Sequence, residues 1–437
     1  MDAHYWLQPA AECDLGIARL HAEAPLDWFE EPMPDNPYLQ AGPGYWCVTR
    51  HEDIATISRN PEIYSSAQGI TITDTPPEFL EFFSSMIAMD DPRHARLRRI
   101  VSKGFTPRML AALEDSVQEI ASGIVDTITE RGECDFVTDV AAALPLKIVC
   151  DLMGVPDSAY NQVFKNTNII LGVGDPEFAP ENVDFVTALL NAGAELAELM
   201  KEVAANKKGG NGTDLTSVLV NAEIEGDHLD EADLASFFVL LVVAGNETTR
   251  NAISWGLKYL TDNPDQRSIW MDDYEGIAPS AVDEIIRLAS PVTYMRRTVT
   301  QDTSLAGREL LEGDKVAMFY LAANRDPEAF ANPYRFDVRR SPNSQCGFGG
   351  PGPHFCLGAH LARREITVMF RELFTRLPDI VAVEEPDALQ SSFIHGVKHL
   401  KAEFSRVRAG SWLEPGSAKW SLNTRRSGCL LIRQFCW

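Results

Sequence analysis

The sequence predicts a mainly α, helix-rich single domain with small β-sheets at its periphery. Three observations carry this. Apolar residues recur at helical spacing from Asp91 to Asn263, a further amphipathic stretch runs from Leu357 to Leu377, and short strands and turns are confined to the chain before Ile72 and to Pro291 through Phe330. No repeat with a period of about 20–50 residues is present, which argues against a solenoid.

In chain order, the first segment is rich in Pro, Gly and aromatic residues, and Gly44 to Thr49 reads as a strand and turn. Helices are expected near 93–102, 107–130, 183–206 and 230–262, separated by breakers at Gly132, Pro156, Pro176, Pro180 and Gly209-Gly210. Another helix is expected from about Pro279 to Ser290. The final one places Leu361, Met369, Phe370 and Leu373 on its buried side. Beyond about Arg408 the chain turns basic and continues no earlier pattern, so residues 1–408 are taken as the domain and 409–437 as an atypical tail.

Composition narrows the function. Among 437 residues, 63 Asp and Glu face 39 Lys and Arg, for a net charge of −24. So acidic a surface disfavours nucleic acid or anionic lipid over any broad face. The opening lacks the basic-then-apolar layout of a secretion signal, and the longest apolar run, Phe237 to Ala244, is far below the ~20 residues of a membrane span. A cytoplasmic, monomeric chain without a membrane anchor is expected. The eight cysteines form no C-x-x-C pair, so reduced thiols are the default and a special cysteine acts as ligand or nucleophile.

Four motifs carry chemistry. In Cys346-Gly-Phe-Gly-Gly-Pro-Gly-Pro-His-Phe-Cys356-Leu-Gly, the glycines allow tight turns around a flat ligand, and Cys356 stands directly before an amphipathic helix whose amides favour a thiolate. The bland alternative for Cys356 is a buried small hydrophobe; Cys346, without such a helix, reads as structural. In Ala244-Gly-Asn-Glu-Thr248-Thr, a helical glycine suggests close approach to the backbone, while Glu247 and Thr248 place an acid and a hydroxyl in an apolar helix. Against this stands Thr248 bonding back to a carbonyl with Glu247 facing solvent. Glu284 and Arg287 are an i,i+3 ion pair, common on solvated faces. His94 and Arg98 share a helix face after Pro92; they can grip two carboxylates or simply form a basic face.

The cysteine loop resembles the haem-binding loop of the cytochrome P450 haem-thiolate monooxygenases, through Phe348, Gly349, Gly352, His354, Cys356 and Gly358. Phe348 lies eight positions before Cys356, one more than the commonest family spacing. The other motifs follow in the family's order, and the resemblance covers roughly residues 40 to 406. It implies the cytochrome P450 fold and haem b with the Cys356 thiolate as axial ligand. Ala244 and Gly245 would lie beside the haem, His94, Arg98, Arg297 and His354 at its propionates, and Glu247 and Thr248 would relay protons. Glu284, Arg287 and Arg339, with Arg340 as the alternative third member, would support the loop. Family topology places Ile70, Met86, Leu240, Leu241, Val292, Met295, Phe393 and Ile394 on the substrate pocket.

The activity implied is hydroxylation of a hydrophobic small molecule such as a terpenoid, steroid or branched lipid, with O2 and two electrons. The chain holds no flavin or iron–sulfur motif, so an external ferredoxin or flavodoxin is expected, docking where Arg93, Arg96, Arg99, Lys103, Arg108, Arg363 and Arg364 form a basic patch. The rival readings are a peroxide-driven or non-redox haem-thiolate enzyme and a haem-binding sensor without turnover.

Overall fold

The structure, a computed structural model, describes residues 5, 7–31, 41–74, 85–102, 107–172, 175–178, 183–221, 229 and 231–406. The tail after Arg406 and Lys103 therefore lie outside the described residues.

The chain opens with α1 (Ala10–Glu23), the hairpin β1 (Leu26–Phe29) and β2 (Tyr45–Val48), then α2 (His51–Arg59) and β3 (Tyr64–Ser65). The helical body follows as α3 (Arg93–Ser102), α4 (Pro107–Ile128), the short β4 (Glu133–Asp135), α5 (Ala143–Met153), α6 (Tyr160–Leu171), α7 (Phe185–Lys207), α8 (Leu215–Val220), α9 (Glu231–Asp262), α10 (Pro264–Asp272) and α11 (Tyr274–Ala289). Strands β5 (Met295–Val299), β6 (Thr303–Leu305), β7 (Arg308–Leu310) and β8 (Lys315–Met318) lead to a single turn, α12 (Tyr320–Ala323). After the cysteine loop come α13 (Ala359–Arg376) and the short strands β9 (Val381–Ala382), β10 (Asp387–Ala388), β11 (Val397–His399) and β12 (Lys401–Glu403).

The main sheet has the order β1-β2-β8-β5-β3, with β2 parallel to β8 and every other pair antiparallel. The remaining strands form a β4-β12-β9 sheet and two ladders, β6-β7 and β10-β11. These sit at the edges of the helices, and the fold class is the one expected from sequence.

Helix α9 is the axle. It is long and apolar enough to cross a membrane by length and composition, but it packs against α5, α6, α7, α11 and α13. Its apolar character serves the core, where an all-round hydrophobic helix belongs. At one end of that core Trp270 is fully buried against Phe370 and Phe374 of α13, at centroid distances of 5.4 Å each. Aromatic side chains bury the most area per residue, and these pin α10 to α13.

Helices α1 and α2 stand where only strand and turn were expected, and α5 and α6 fill the region between 131 and 182, where no helix was assigned. Their apolar residues are interrupted by Pro145 and by short polar runs. Pro145 is tolerated because it falls in the first turn of α5, where its missing N–H has no intrahelical partner to lose. Helix α11 starts five residues before the expected Pro279 because the Asp273 carboxylate caps it, accepting from the Gly276 N–H at 3.2 Å.

Candidate active site

The cysteine loop takes its shape from glycine at positions other residues resist. Gly349, Gly350 and Gly352 have φ of 92°, 69° and 126°. At Gly352 a Cβ would come within 2.0 Å of the Ser58 carbonyl oxygen, so this turn can seat against α2 only as glycine. Two backbone bonds close the loop. Cys356 N–H donates to the Phe348 carbonyl at 2.9 Å, and Gly349 N–H to the Cys346 carbonyl at 2.9 Å. Phe348 lies under the Arg363 guanidinium, 4.5 Å from the ring centroid.

A second network anchors the loop from behind. Glu284, fully buried, accepts from Arg287 Nε at 2.7 Å and Nη2 at 2.8 Å, from the Asp337 N–H at 3.0 Å and from Arg340 Nε at 3.0 and 3.1 Å. Arg340 is therefore the third member. Arg339 is corrected: it is exposed, and the contact that fixes it is its own N–H to the Asp337 carboxylate at 3.0 Å. Of the two neighbours it is Arg340 whose guanidinium turns inward to Glu284. Arg287 Nη1 also donates to the Asn324 carbonyl at 2.6 Å, and the Asn324 side-chain oxygen accepts from the Cys346 N–H at 2.8 Å. Asn324, which sequence reasoning missed, thus joins the ion-pair network to the loop. Cys346 is buried, with its thiol 3.3 Å from the same Asn324 oxygen and its pKa pushed up to about 12 by burial. Its role is structural.

Cys356 opens onto a cavity between α9, α13, α3 and the β5 strand. The residue has accessible area, yet burial raises its pKa, so that area faces the cavity. The Gly358 amide, Arg98 and Arg363 act in the other direction and favour the thiolate. Of the residues expected at a haem, His94, Arg98, Ala244, Gly245, Arg297, Phe348, Gly349, His354 and Gly358 line this same cavity. Gly245 has an additional reason: a Cβ there would sit 2.8 Å from Val149 Cγ2 on α5, so the glycine also lets two helices meet.

Two arginines and two histidines converge here. His94 and His354 have ring centroids 4.2 Å apart. Arg297 is buried and its hydrogen bond goes to the Arg296 carbonyl at 2.8 Å; Arg98 Nη2 donates to the Phe355 carbonyl at 2.6 Å. Among the described residues Arg98, Arg297 and His354 have no ion-pair partner, and His94 has only Asp91, at 3.4 Å on Nδ1. His94 Nε2 is buried with no partner. Burial and then Arg297, His94 and Arg98 press the His354 pKa down to about 3, and burial and then Arg98 lower that of His94. Such a cluster suits an anionic ligand, and the two propionates of a haem would fit these donors.

Thr248 also lines the cavity, and its hydroxyl donates to the Ala244 carbonyl at 2.8 Å. Glu247 points elsewhere. It is buried, forms an ion pair with Arg250, and accepts from Asn251 Nδ2 at 3.0 Å, while its Oε2 has no partner. Arg250 in turn donates to Asn168 Oδ1 on α6 at 2.9 Å. The back-bonded threonine is thus present, but the acid is neither solvated nor on the cavity wall.

Met86, Leu240, Leu241, Val292 and Met295 line the cavity; Ile70, Phe393 and Ile394 do not, and this corrects the expected pocket. Ile394 is buried and forms an antiparallel bridge with Val292. Phe393 packs on Tyr294, at 5.5 Å between centroids, and Ile70 gives its carbonyl to the Arg296 N–H at 2.8 Å. Sequence reasoning missed Thr249, Tyr320 and Glu365, which line the same cavity.

Comparison with known proteins agrees with this geometry. The Cytochrome P450 family profile matches residues 277–387. A methyl-branched lipid omega-hydroxylase of Mycobacterium tuberculosis is 47% identical over 92% of this chain and 93% of its own length. A steroid C26-monooxygenase of Rhodococcus jostii is 36% identical over 90% of this chain and 82% of its own. A Mycobacterium marinum cytochrome P450 in complex with pseudoionone superposes with a TM-score of 0.87 at 39% identity, over 92% of this chain and 97% of the other. Cysteine loop, buried ion-pair network and overall similarity meet in one conclusion: this chain belongs to the cytochrome P450 family and is a haem-thiolate monooxygenase acting on a hydrophobic molecule.

Proposed function

We propose that the protein binds haem b through the Cys356 thiolate and hydroxylates the end of a methyl-branched lipid or isoprenoid chain, using O2 and electrons from an external ferredoxin. The observation that carries this is the convergence on one largely apolar cavity of Cys356, two arginines without an ion-pair partner among the described residues, and two histidines. The lipid class is supported by the 47%-identical omega-hydroxylase and by the neighbour that holds pseudoionone.

Bound haem would supply oxygen activation, with electron donation from the thiolate favouring O–O cleavage. The chain's own residues do the rest. His94, Arg98, Arg297 and His354 would hold the propionates. Leu240, Leu241, Val292 and Met295 exclude water and orient an aliphatic guest. Thr248 spends its proton on the Ala244 carbonyl, which leaves the lone pairs of its oxygen free to hold a water or an oxygen-bound proton at the cavity wall. Glu247 stands behind it as a carboxylate paired with Arg250; to relay a proton it must turn from Arg250, take the proton from water and pass it on, so Arg250 governs how readily it exchanges.

The donor docks on the cysteine face. Arg93, Arg96, Arg99, Arg363 and Arg364 are the candidate contacts; of these Arg93 also pairs with Asp233 and Arg363 with Asp283. Long-range steering by such a patch weakens with salt, so reduction by ferredoxin slows as ionic strength rises.

The test is a ligand panel of methyl-branched fatty acids, isoprenoid ketones and sterols, scored by the spin-state change as iron-bound water is displaced and then by product analysis. Branched lipids or isoprenoids hydroxylated at a terminal carbon support the assignment. Turnover with peroxide alone, and none with reductant and O2, overturns it.

A further inference from the structure

Helix α11 carries two adjacent acids with different partners, Asp283 and Glu284. Glu284 is buried in the ion-pair network behind the loop. Asp283 is half-buried and turns to the cysteine loop itself. Its Oδ1 accepts from Arg363 Nε at 2.9 Å and from Gln345 Nε2 at 3.2 Å, and Arg363 Nη2 lies 2.9 Å from the same oxygen. Gln345 in turn accepts from the Gly347 N–H at 2.7 Å. One carboxylate therefore holds both flanks of the loop, Gln345 before it and Arg363 after it.

The guanidinium that Asp283 holds lies over the Phe348 ring, 4.5 Å from its centroid. Phe348 lines the active-site cavity, whereas Arg363 does not. The charge still reaches the sulfur: burial raises the Cys356 pKa, and Arg98 and Arg363 work against it. A positive charge beside a poorly polar site favours whichever state of that site is more negative, and a carboxylate paired with the cation opposes the effect. With 32% and 26% of their side chains exposed, Arg363 and Asp283 are only partly screened by solvent. They form a charge and a counter-charge just outside the cavity wall, each removable without the other.

We propose that Arg363 and Asp283 are positioning residues that set the reduction potential of the haem iron from outside the cavity, the arginine raising it through the Phe348 ring and the aspartate holding it back. In the step concerned, one electron from the external ferredoxin takes ferric iron to ferrous and adds one negative charge; no bond of the protein is made or broken. This rests on the function proposed above.

The test is a potentiometric titration, followed by absorbance, of the substrate-free, haem-loaded full-length protein for wild type, Asp283→Asn, Arg363→Met and the double variant. Asp283→Asn is expected to shift the potential upward, because Arg363 then lacks its counter-charge. Arg363→Met is expected to shift it downward, because the cation is gone and the aspartate remains. The double variant, which like the wild type carries no net charge at the pair, should return close to the wild-type potential, and added salt should shrink both single shifts. Arg363→Lys, which keeps the charge, should lie nearer the wild type than Arg363→Met does. Single variants that shift the same way, or neither of which shifts, would overturn the proposal. So would loss of the thiolate-ligated carbon-monoxide band in either, which would mean that the pair holds the loop rather than tunes it. A wild-type chain that binds no haem would refute the proposed function and this inference with it, whereas a haem-loaded chain with unmoved potentials refutes this inference alone.

Discussion

Arg297 gives the sharpest separation between a ligand-binding residue and an ordinary buried arginine. Its guanidinium is buried, bonded to the Arg296 carbonyl, and faces no carboxylate within ion-pair distance among the described residues. Removing a buried charge without a counter-ion does not destabilise; replacing such groups by apolar ones is often neutral or favourable. Arg297→Met should therefore leave the melting temperature of the haem-free protein unchanged or raised. Haem binding should move the other way. A hydrogen bond to a charged partner is worth about 1.5–3 kcal/mol, which corresponds to a roughly 10- to 150-fold weaker affinity for haem. The assay is titration of haem-free protein with hemin, followed by absorbance, beside thermal melts of the same samples. Unchanged hemin affinity, or a loss of haem-free stability of several kcal/mol, would refute the assignment.

Further outcomes follow from other parts of the site. Arg340→Met should cost on the order of 1.5–3 kcal/mol by removing charge-assisted bonds to buried Glu284. Arg339→Met, at an exposed position, should stay within about 0.5 kcal/mol in denaturant titration; equal effects would undo the correction. The haem-free protein should lose stability as pH falls below about 6.5, because unfolded histidine then takes up a proton while folded His354, held down to about 3, does not. Unfolding at neutral pH and at about pH 5 reads this, and His354→Asn should flatten part of the slope; His94 and His395, also lowered, keep the rest. Thr248→Ala should divert electrons into peroxide, measured as peroxide formed per reductant consumed, and unchanged coupling would remove Thr248 from the proton path.

Much of this site was legible in the sequence because its chemistry is local. The cysteine loop, the H-x-x-x-R pair and the E-x-x-R pair are spacings within single turns, and the structure brings them together. Residues defined by tertiary order were harder. Arg339 and Arg340 are adjacent, and only the direction of the turn decides which meets Glu284. Ile394 and Val292 are bridge partners, yet only Val292 lines the cavity, a distinction that sequence cannot express. Asn324 matters because Arg287 and Cys346, 59 residues apart in the chain, both reach it. Glu365 was readable, as an acid interrupting the apolar row of α13, but the row was read for its core face alone. Glu247 shows the converse: placing an acid and a hydroxyl side by side did not reveal that Arg250 draws the acid away from the cavity wall.

The central claim is that the Cys356 sulfur is the axial ligand of a haem. It is tested most directly by the absorption spectrum of the reduced, carbon-monoxide-bound protein for wild type, Cys356→Ala and Cys346→Ala. The red-shifted band of thiolate-ligated haem is expected in the wild type and in Cys346→Ala, and is expected to vanish in Cys356→Ala. A band that survives in Cys356→Ala, or a wild-type spectrum of nitrogen-ligated haem, would contradict it.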